Sequence, residues 1–242
     1  MGWLGHLSKA KNLRLLQKEI INCHACPRLV EWREEIAHVK RKSYADQNYW
    51  GKPIPGFGSE SPRMLIIGLA PGAHGANRTG RVFTGDSSGD WLYGSLHRLG
   101  LAKIATSISR DDGQELFGVR ISTAVRCAPP NNKPTTQERD ECGHFFNREL
   151  ALIEPSIKSF VALGSFAWTA LFKGLHDLGH QVKAPKFAHS ASLKYTHEGT
   201  EYLVIASYHP SQQNTFTGKL TRPMLDSVLR KAAKFCALPP RI

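Results

Sequence analysis

Met64-Leu65-Ile66-Ile67-Gly68-Leu69-Ala70-Pro71-Gly72-Ala73-His74-Gly75 is an unbroken apolar run that opens at once into a loop of small residues. A continuous run of this length suits a strand buried on both faces, as in a parallel sheet, where neither side meets water. Similar runs recur at Val119 to Val125, Phe160 to Leu163 and Leu203 to Ala206. Between them, apolar residues at helical spacing occupy about 87–99, 137–153, 165–173 and 221–236. Strand and helix therefore alternate, which predicts an α/β fold with a parallel sheet covered by helices on both faces. In such sheets ligands bind beyond the carboxyl ends of the strands, so the chemistry is expected just after Ile67, Val125, Leu163 and Ala206.

Upstream of the first strand, Leu7, Leu13, Leu16 and Ile20 predict a helix over 7–21, which stops at Cys23-His24-Ala25-Cys26-Pro27. A second helical stretch covers 29–39, and the proline- and glycine-rich segment from Gly51 to Pro62 reads as an ordered surface loop. No internal repeat, low-complexity tract or linker divides the chain, so a single domain over 1–242 is expected.

Lys and Arg outnumber Asp and Glu by 32 to 20, a formal net charge of +12. Such a surface attracts polyanions and puts nucleic acid first among the expected partners, with salt-dependent binding. No apolar stretch approaches the roughly 18 to 20 residues that span a bilayer, and the N-terminus carries no compact apolar signal segment, so a cytoplasmic protein is expected. The same reading expects no membrane partner and a monomer. A reducing cytosol disfavours disulfides, and grouped cysteines there are better read as metal or cluster ligands. Cys23 and Cys26 form a CxxC, Cys127 follows the second strand and Cys142 lies on the helix after it, while Cys236 reads as an ordinary buried thiol. Four thiolates suit either zinc or a four-iron cluster, and unrelated buried thiols are the alternative.

The loop from Gly68 to Arg81 lets backbone approach a ligand closely and offers N–H groups to anions, yet it matches neither GxGxxG nor a P-loop. It holds no Asp or Glu as far as Thr84, so no carboxylate within it activates water; Asn77 is the polar substitute, and a turn role is its other reading. After the last strand comes Tyr208-His209-Pro210-Ser211, then Gln212 to Arg222, a run of amides, hydroxyls, one aromatic and two cations that suits a nucleic-acid backbone. His209 thus falls at the same sheet edge as the glycine-rich loop.

Taken together, GLAPGAHGANRTGRVFTGDSSGDWL at 68–92, VRCAPPNNKPT at 125–135, HPSQQNTFTGKLT at 209–221 and CHAC at 23–26 resemble the uracil-DNA glycosylase superfamily, and within it the iron–sulfur family numbered five. The resemblance implies a three-layer α/β/α fold with a central parallel sheet of about four strands, and a structural 4Fe-4S cluster on Cys23, Cys26, Cys127 and Cys142. It implies that a uracil or another deaminated base such as hypoxanthine is flipped out of DNA and cut away by hydrolysis of the N-glycosidic bond, leaving an abasic site. Phe83 would stack on the flipped base, Gly68, Ala70 and Gly72 would line its pocket, and His209 would donate a hydrogen bond to the pyrimidine O2 as the base departs.

Strict uracil relatives carry Asp, Asn or Glu in the first motif where this chain has Leu69 and Ala70. The usual water activator is missing, and Asn77 or a backbone carbonyl is left to orient the water. Those relatives also read the base with an Asn; the corresponding residue here is Thr123, with Asn132 as an alternative reader. Arg78, Ser211, Lys219 and Arg222 are the expected DNA contacts. The apolar wedge of some relatives falls near Gln213 and is either weaker here or carried by Phe216. A nucleic-acid-binding module with a structural metal or cluster and no catalysis is the rival reading; it leaves His209 and residues 68–92 without a role. An electron-transfer protein is a third.

Overall fold

A computed structural model describes residues 12–238. Two helices lead, α1 (Leu13–Ile21) and α2 (Pro27–Val39), then β1 (Phe57–Gly58), β2 (Met64–Gly68), α3 (Ala76–Thr79), α4 (Ser87–Arg98) and β3 (Val119–Thr123). The second half runs α5 (Thr136–Ile153), β4 (Ser159–Leu163), α6 (Ser165–Asp177), β5 (Ser192–His197), β6 (Thr200–Ser207), α7 (Gln212–Phe216) and α8 (Arg222–Phe235). The part of the expected first helix before residue 12 lies outside the described residues. Among these residues no helix is long and apolar enough to cross a membrane.

Six strands form one mixed sheet in the order β1-β3-β2-β4-β6-β5. The inner four, β3-β2-β4-β6, are mutually parallel, as the apolar runs predict. Their side chains alternate between two cores. Met64, Ile66, Val161 and Ile205 face the side covered by α4 and α8, while Leu65, Ile67, Phe160 and Val204 face the side covered by α5 and α6. The three-layer α/β/α expectation holds, and each edge gains one antiparallel strand that the apolar-run criterion does not find. β5 escapes it because only alternate residues of Ser-Leu-Lys-Tyr-Thr-His are part-buried, and it pairs with β6 through a two-residue turn. Glu198 and Gly199 in that turn both have positive φ, 47° and 76°, the mirror-image geometry that fits strand twist.

Polarity intrudes on one strand. Arg120 of β3 and Arg126 beyond it are buried, and both bind the Glu149 carboxylate of α5, which also accepts from Ser122 Oγ at 2.6 Å. Four polar side chains thus pair with one another between sheet and helix, while Arg126 Nε and Nη1 stay without partners.

Candidate active site at the carboxyl edge of the sheet

The ends of β2, β3, β4 and β6 converge on one slot. Gly68 closes β2, and a Cβ there would sit 2.6 Å from the Phe83 ring, so only glycine allows the ring to lie on the strand end. Thr123 closes β3 directly opposite Gly68, buried, with its Oγ1 bonded to nothing. Past β4, Gly164 takes φ 94°, a conformation that favours glycine, and His209 Cβ lies in van der Waals reach of it. Phe83 itself has φ 50°, a left-handed conformation that costs a non-glycine residue roughly 1–3 kcal/mol and collects at functional sites. Its ring stacks on His209, centroids 5.8 Å apart at 29°. Gly68, Phe83 and His209, all singled out from sequence, are therefore brought together.

Burial pushes the His209 imidazole down to about 4. At neutral pH the ring is uncharged and keeps one N–H to donate, a setting that polarises an oxygen without carrying a full charge. Asn214 Nδ2 donates to the His209 carbonyl at 2.9 Å and ties α7 to the segment that carries His209.

The glycine-rich loop is braced from behind. Asn77 is 0% exposed; its Nδ2 donates to the Arg33 carbonyl of α2 at 3.1 Å, leaving Oδ1 buried without a partner. Arg78 departs from expectation. Its Nε, Nη1 and Nη2 donate to His74 O, Gln47 Oε1 and Gly85 O at 2.7, 2.6 and 2.8 Å, and the guanidinium covers the Tyr44 ring. With three of its five N–H groups engaged inside the loop and the side chain buried, Arg78 clamps the loop rather than facing a phosphate. Sequence reasoning also missed Asp86, two residues past the stretch found free of carboxylates. It caps α4 through Gly89 N at 2.9 Å, while its other oxygen presses on the loop: a Cβ on Gly75 would lie 2.0 Å from it. Burial pushes this carboxyl group up. The readable signal was an Asp before Ser-Ser-Gly at a helix start.

On the α2 side, Ala70 packs in one cluster with Cys26, Cys127, Leu29 and Phe166. Cys23, Cys26, Cys127 and Cys142 line one cavity with Arg33 and Arg126. Burial, then neighbouring thiols, push Cys26 up to about 11 and Cys142 up to about 12. Left alone these stay protonated; four thiolates there need a bound cation. Arg33 Nη1 donates to Cys127 Sγ at 3.1 Å and the Arg126 amide to Cys142 Sγ at 3.3 Å. Arg33 Nε and two Arg126 nitrogens are buried without partners beside the sulfurs. Such a donor set fits a group carrying net negative charge, and Cys236, bonded to Ser159 and Arg63, takes no part.

Past the catalytic edge, α7 presents Phe216 at 78% exposure, with Lys219 and Arg222 exposed beyond it and Ser211 at its N-cap. Lys219 lies over Tyr208 and Arg222 over Trp91, aromatic supports that leave both charges at the surface. Gly72 sits on the loop with its carbonyl accepting from Gly75 and Asn77. Asn132 lies exposed in a short 3-10 turn at φ 55°, outside the slot.

Comparison with known proteins matches residues 55–233 to the Uracil DNA glycosylase superfamily. The Type-5 uracil-DNA glycosylase of Mycobacterium leprae is 49% identical over 223 residues, spanning 92% of this chain and 95% of its own length. That of Thermus thermophilus is 48% identical, spanning 89% and 94%. A Type-4 uracil-DNA glycosylase of Archaeoglobus fulgidus is 29% identical, spanning 90% of each.

Proposed function

The chain belongs to the uracil DNA glycosylase superfamily, on its type-5 side, and from that premise we propose a cytoplasmic, monomeric DNA-repair hydrolase that flips uracil and other deaminated bases, such as hypoxanthine, out of DNA and excises them. The observation that carries this reading is a neutral His209 stacked against Phe83 over a glycine-floored slot. A flipped base slides over Gly68 and stacks on Phe83. His209 donates its single N–H to the base oxygen that gains negative charge as the N-glycosidic bond breaks. The charge forms only in the transition state, so the donor lowers the barrier without tightening substrate binding.

Leaving-group stabilisation of this kind needs little help at the water. The orphaned Oδ1 of Asn77 is the acceptor we assign to orient it, and Asp86 holds the loop that carries Asn77. Thr123 Oγ1, buried and unpaired at the slot wall, is the base reader we favour over Asn132, which lies in the exposed turn. One hydroxyl, able to donate or accept, discriminates less sharply than an amide with fixed donor and acceptor, which agrees with a broad base range.

Cys23, Cys26, Cys127 and Cys142 would hold a 4Fe-4S cluster whose part is to fasten α2 and the start of α5 to the sheet. Four thiols lining one cavity, with Arg33 and the Arg126 amide donating to two of the sulfurs and further guanidinium nitrogens left without partners, support a group that carries net negative charge.

The test is excision from oligonucleotides carrying uracil, hypoxanthine or xanthine, read as alkali-labile abasic sites. Abasic sites at uracil and hypoxanthine are expected. Tight, salt-sensitive DNA binding with no abasic product would leave the non-catalytic binding module as the reading.

A further inference from the structure

At the opposite, amino edge of the sheet, three segments bring Glu154, His180 and His197 together. Glu154 follows α5, His180 follows α6, and His197 ends β5 at the hairpin turn. One ligand atom from each lies within 4.8 Å of the others. His180 Nε2 and Glu154 Oε1 are 2.8 Å apart, and the His180 ring stacks on His197 with centroids 3.9 Å apart at 24°. Nothing in the glycosylase chemistry uses these residues. The seven steps from Thr200 to Ser207 along β6 separate them from His209 by roughly 20 Å.

We propose that Glu154, His180 and His197 form a second metal site, taking one divalent transition-metal ion of the zinc class. Two imidazoles and one carboxylate are a borderline-soft donor set that suits zinc better than magnesium or calcium, which prefer oxygen alone. Ligands around a tetrahedral ion with bonds of about 2.1 Å stand about 3.4 Å apart and each imidazole points an in-plane lone pair at the ion, so closing the site turns the His197 ring out of its stack on His180.

Tyr195 supplies the outer support. Its Oη lies 3.0 Å from His180 Nδ1. Without metal, the tyrosine hydroxyl donates to Nδ1 and Nε2–H donates to Glu154. With metal, Nε2 gives its lone pair to the ion and Nδ1–H donates to the tyrosine oxygen, so His180 changes tautomer and stays neutral. A metal-bound histidine commonly has this second hydrogen bond, and it fixes which nitrogen binds. His180 is 0% exposed, whereas the Glu154 and His197 side chains reach solvent, which leaves a path in and a fourth position for water. Bound metal would staple the edge hairpin to the ends of α5 and α6.

The experiment is a titration of the full chain, its cysteine site loaded as isolated, with cobalt(II) followed by absorption and with zinc followed by calorimetry and thermal melting. One saturable equivalent is expected, with ligand-field absorption and no sulfur-to-cobalt charge-transfer band. Zinc at about 100 times Kd should raise Tm by roughly 5–10 °C. Tyr195→Phe should weaken binding about 10-fold, and His197→Ala or Glu154→Gln more than that, with uracil excision unchanged in all three. Because the ligand variants alter partly exposed positions, each is checked for a wild-type melting curve in chelator. The absence of a saturable equivalent, a thiolate charge-transfer band on it, or its survival in both ligand variants would overturn the proposal.

Discussion

His209 illustrates how a single side chain acquires its chemistry from position. An exposed imidazole titrates near 6.5, but burial holds this one neutral down to about 4. Single-turnover excision should therefore show no inflection between pH 6 and 7, and activity that falls as pH rises through about 6.5 in wild type but not in a His209 variant would mean that the charged ring is the working form. The same shift has a stability consequence. The unfolded chain takes up this proton at a higher pH than the folded one, so the contribution to stability is lost as pH falls from about 6.5 toward 4. His209→Ala should slow excision by roughly 10²-fold or more, and Asn77→Ala by about 10-fold, with DNA binding nearly unchanged in both. Thr123 sets up a test with opposed signs. Thr123→Val removes a buried unpaired hydroxyl, so thermal stability should hold or rise while uracil excision drops about 10-fold. Unchanged excision in Thr123→Val together with a loss in Asn132→Ala would move base reading to the exposed turn.

At the scale of elements, α7 and the loop after it are the DNA-facing surface we propose, and the glycine-rich loop is its support. Phe216 projects from α7 next to the catalytic edge, where an apolar side chain can fill the gap that a flipped base leaves in the stack. Phe216→Ala should reduce excision from duplex DNA more than from single strands, because only the duplex has a stack to hold open. Lys219→Ala and Arg222→Ala should each lower the slope of log affinity against log salt by about 1, measured by fluorescence anisotropy. Arg78→Ala should behave differently. It removes three hydrogen bonds from a buried clamp, so a destabilisation of roughly 3 kcal/mol is expected in urea unfolding, with the salt slope unaltered.

Across the whole molecule, the Arg120–Glu149–Arg126 group joins β3, α5 and the segment entering the cysteine cavity. Burial alone would push the Glu149 carboxyl group up, but the Arg126 and Arg120 charges and the Ser122 hydroxyl outweigh it and hold the group at about 2. The unfolded chain binds this proton near the ordinary Glu value, so the stabilisation is complete above about pH 4.5 and is lost as pH falls from there toward 2. Glu149→Gln leaves two buried guanidinium groups short of charge, and a cost of roughly 3–5 kcal/mol in denaturant unfolding at pH 7 is expected. A variant as stable as wild type at pH 7 and equally acid-sensitive would show that this network does not bear on stability.

Periodicity and motif order determined the architecture because a strand buried on both faces must be continuously apolar, and four such runs separated by helical patterns admit few arrangements. They also pointed to the carboxyl edge of the sheet as the place for the chemistry, since strand ends and loops are ordered along the chain. Tertiary structure decided what depends on partners distant in sequence. Arg78 and Lys219 look alike as cations in basic, polar segments, yet one is spent inside the loop and the other stays at the surface, a difference set by Gln47, His74 and Gly85 folding around it. Asn77 and Thr123 stood out by their places in the motifs, but the polar atom that each leaves unpaired is something a sequence does not record. β5 was invisible to a search for apolar runs because an edge strand buries only one face, and the meeting of Glu154, His180 and His197 depends on that strand closing its hairpin beside α5 and α6.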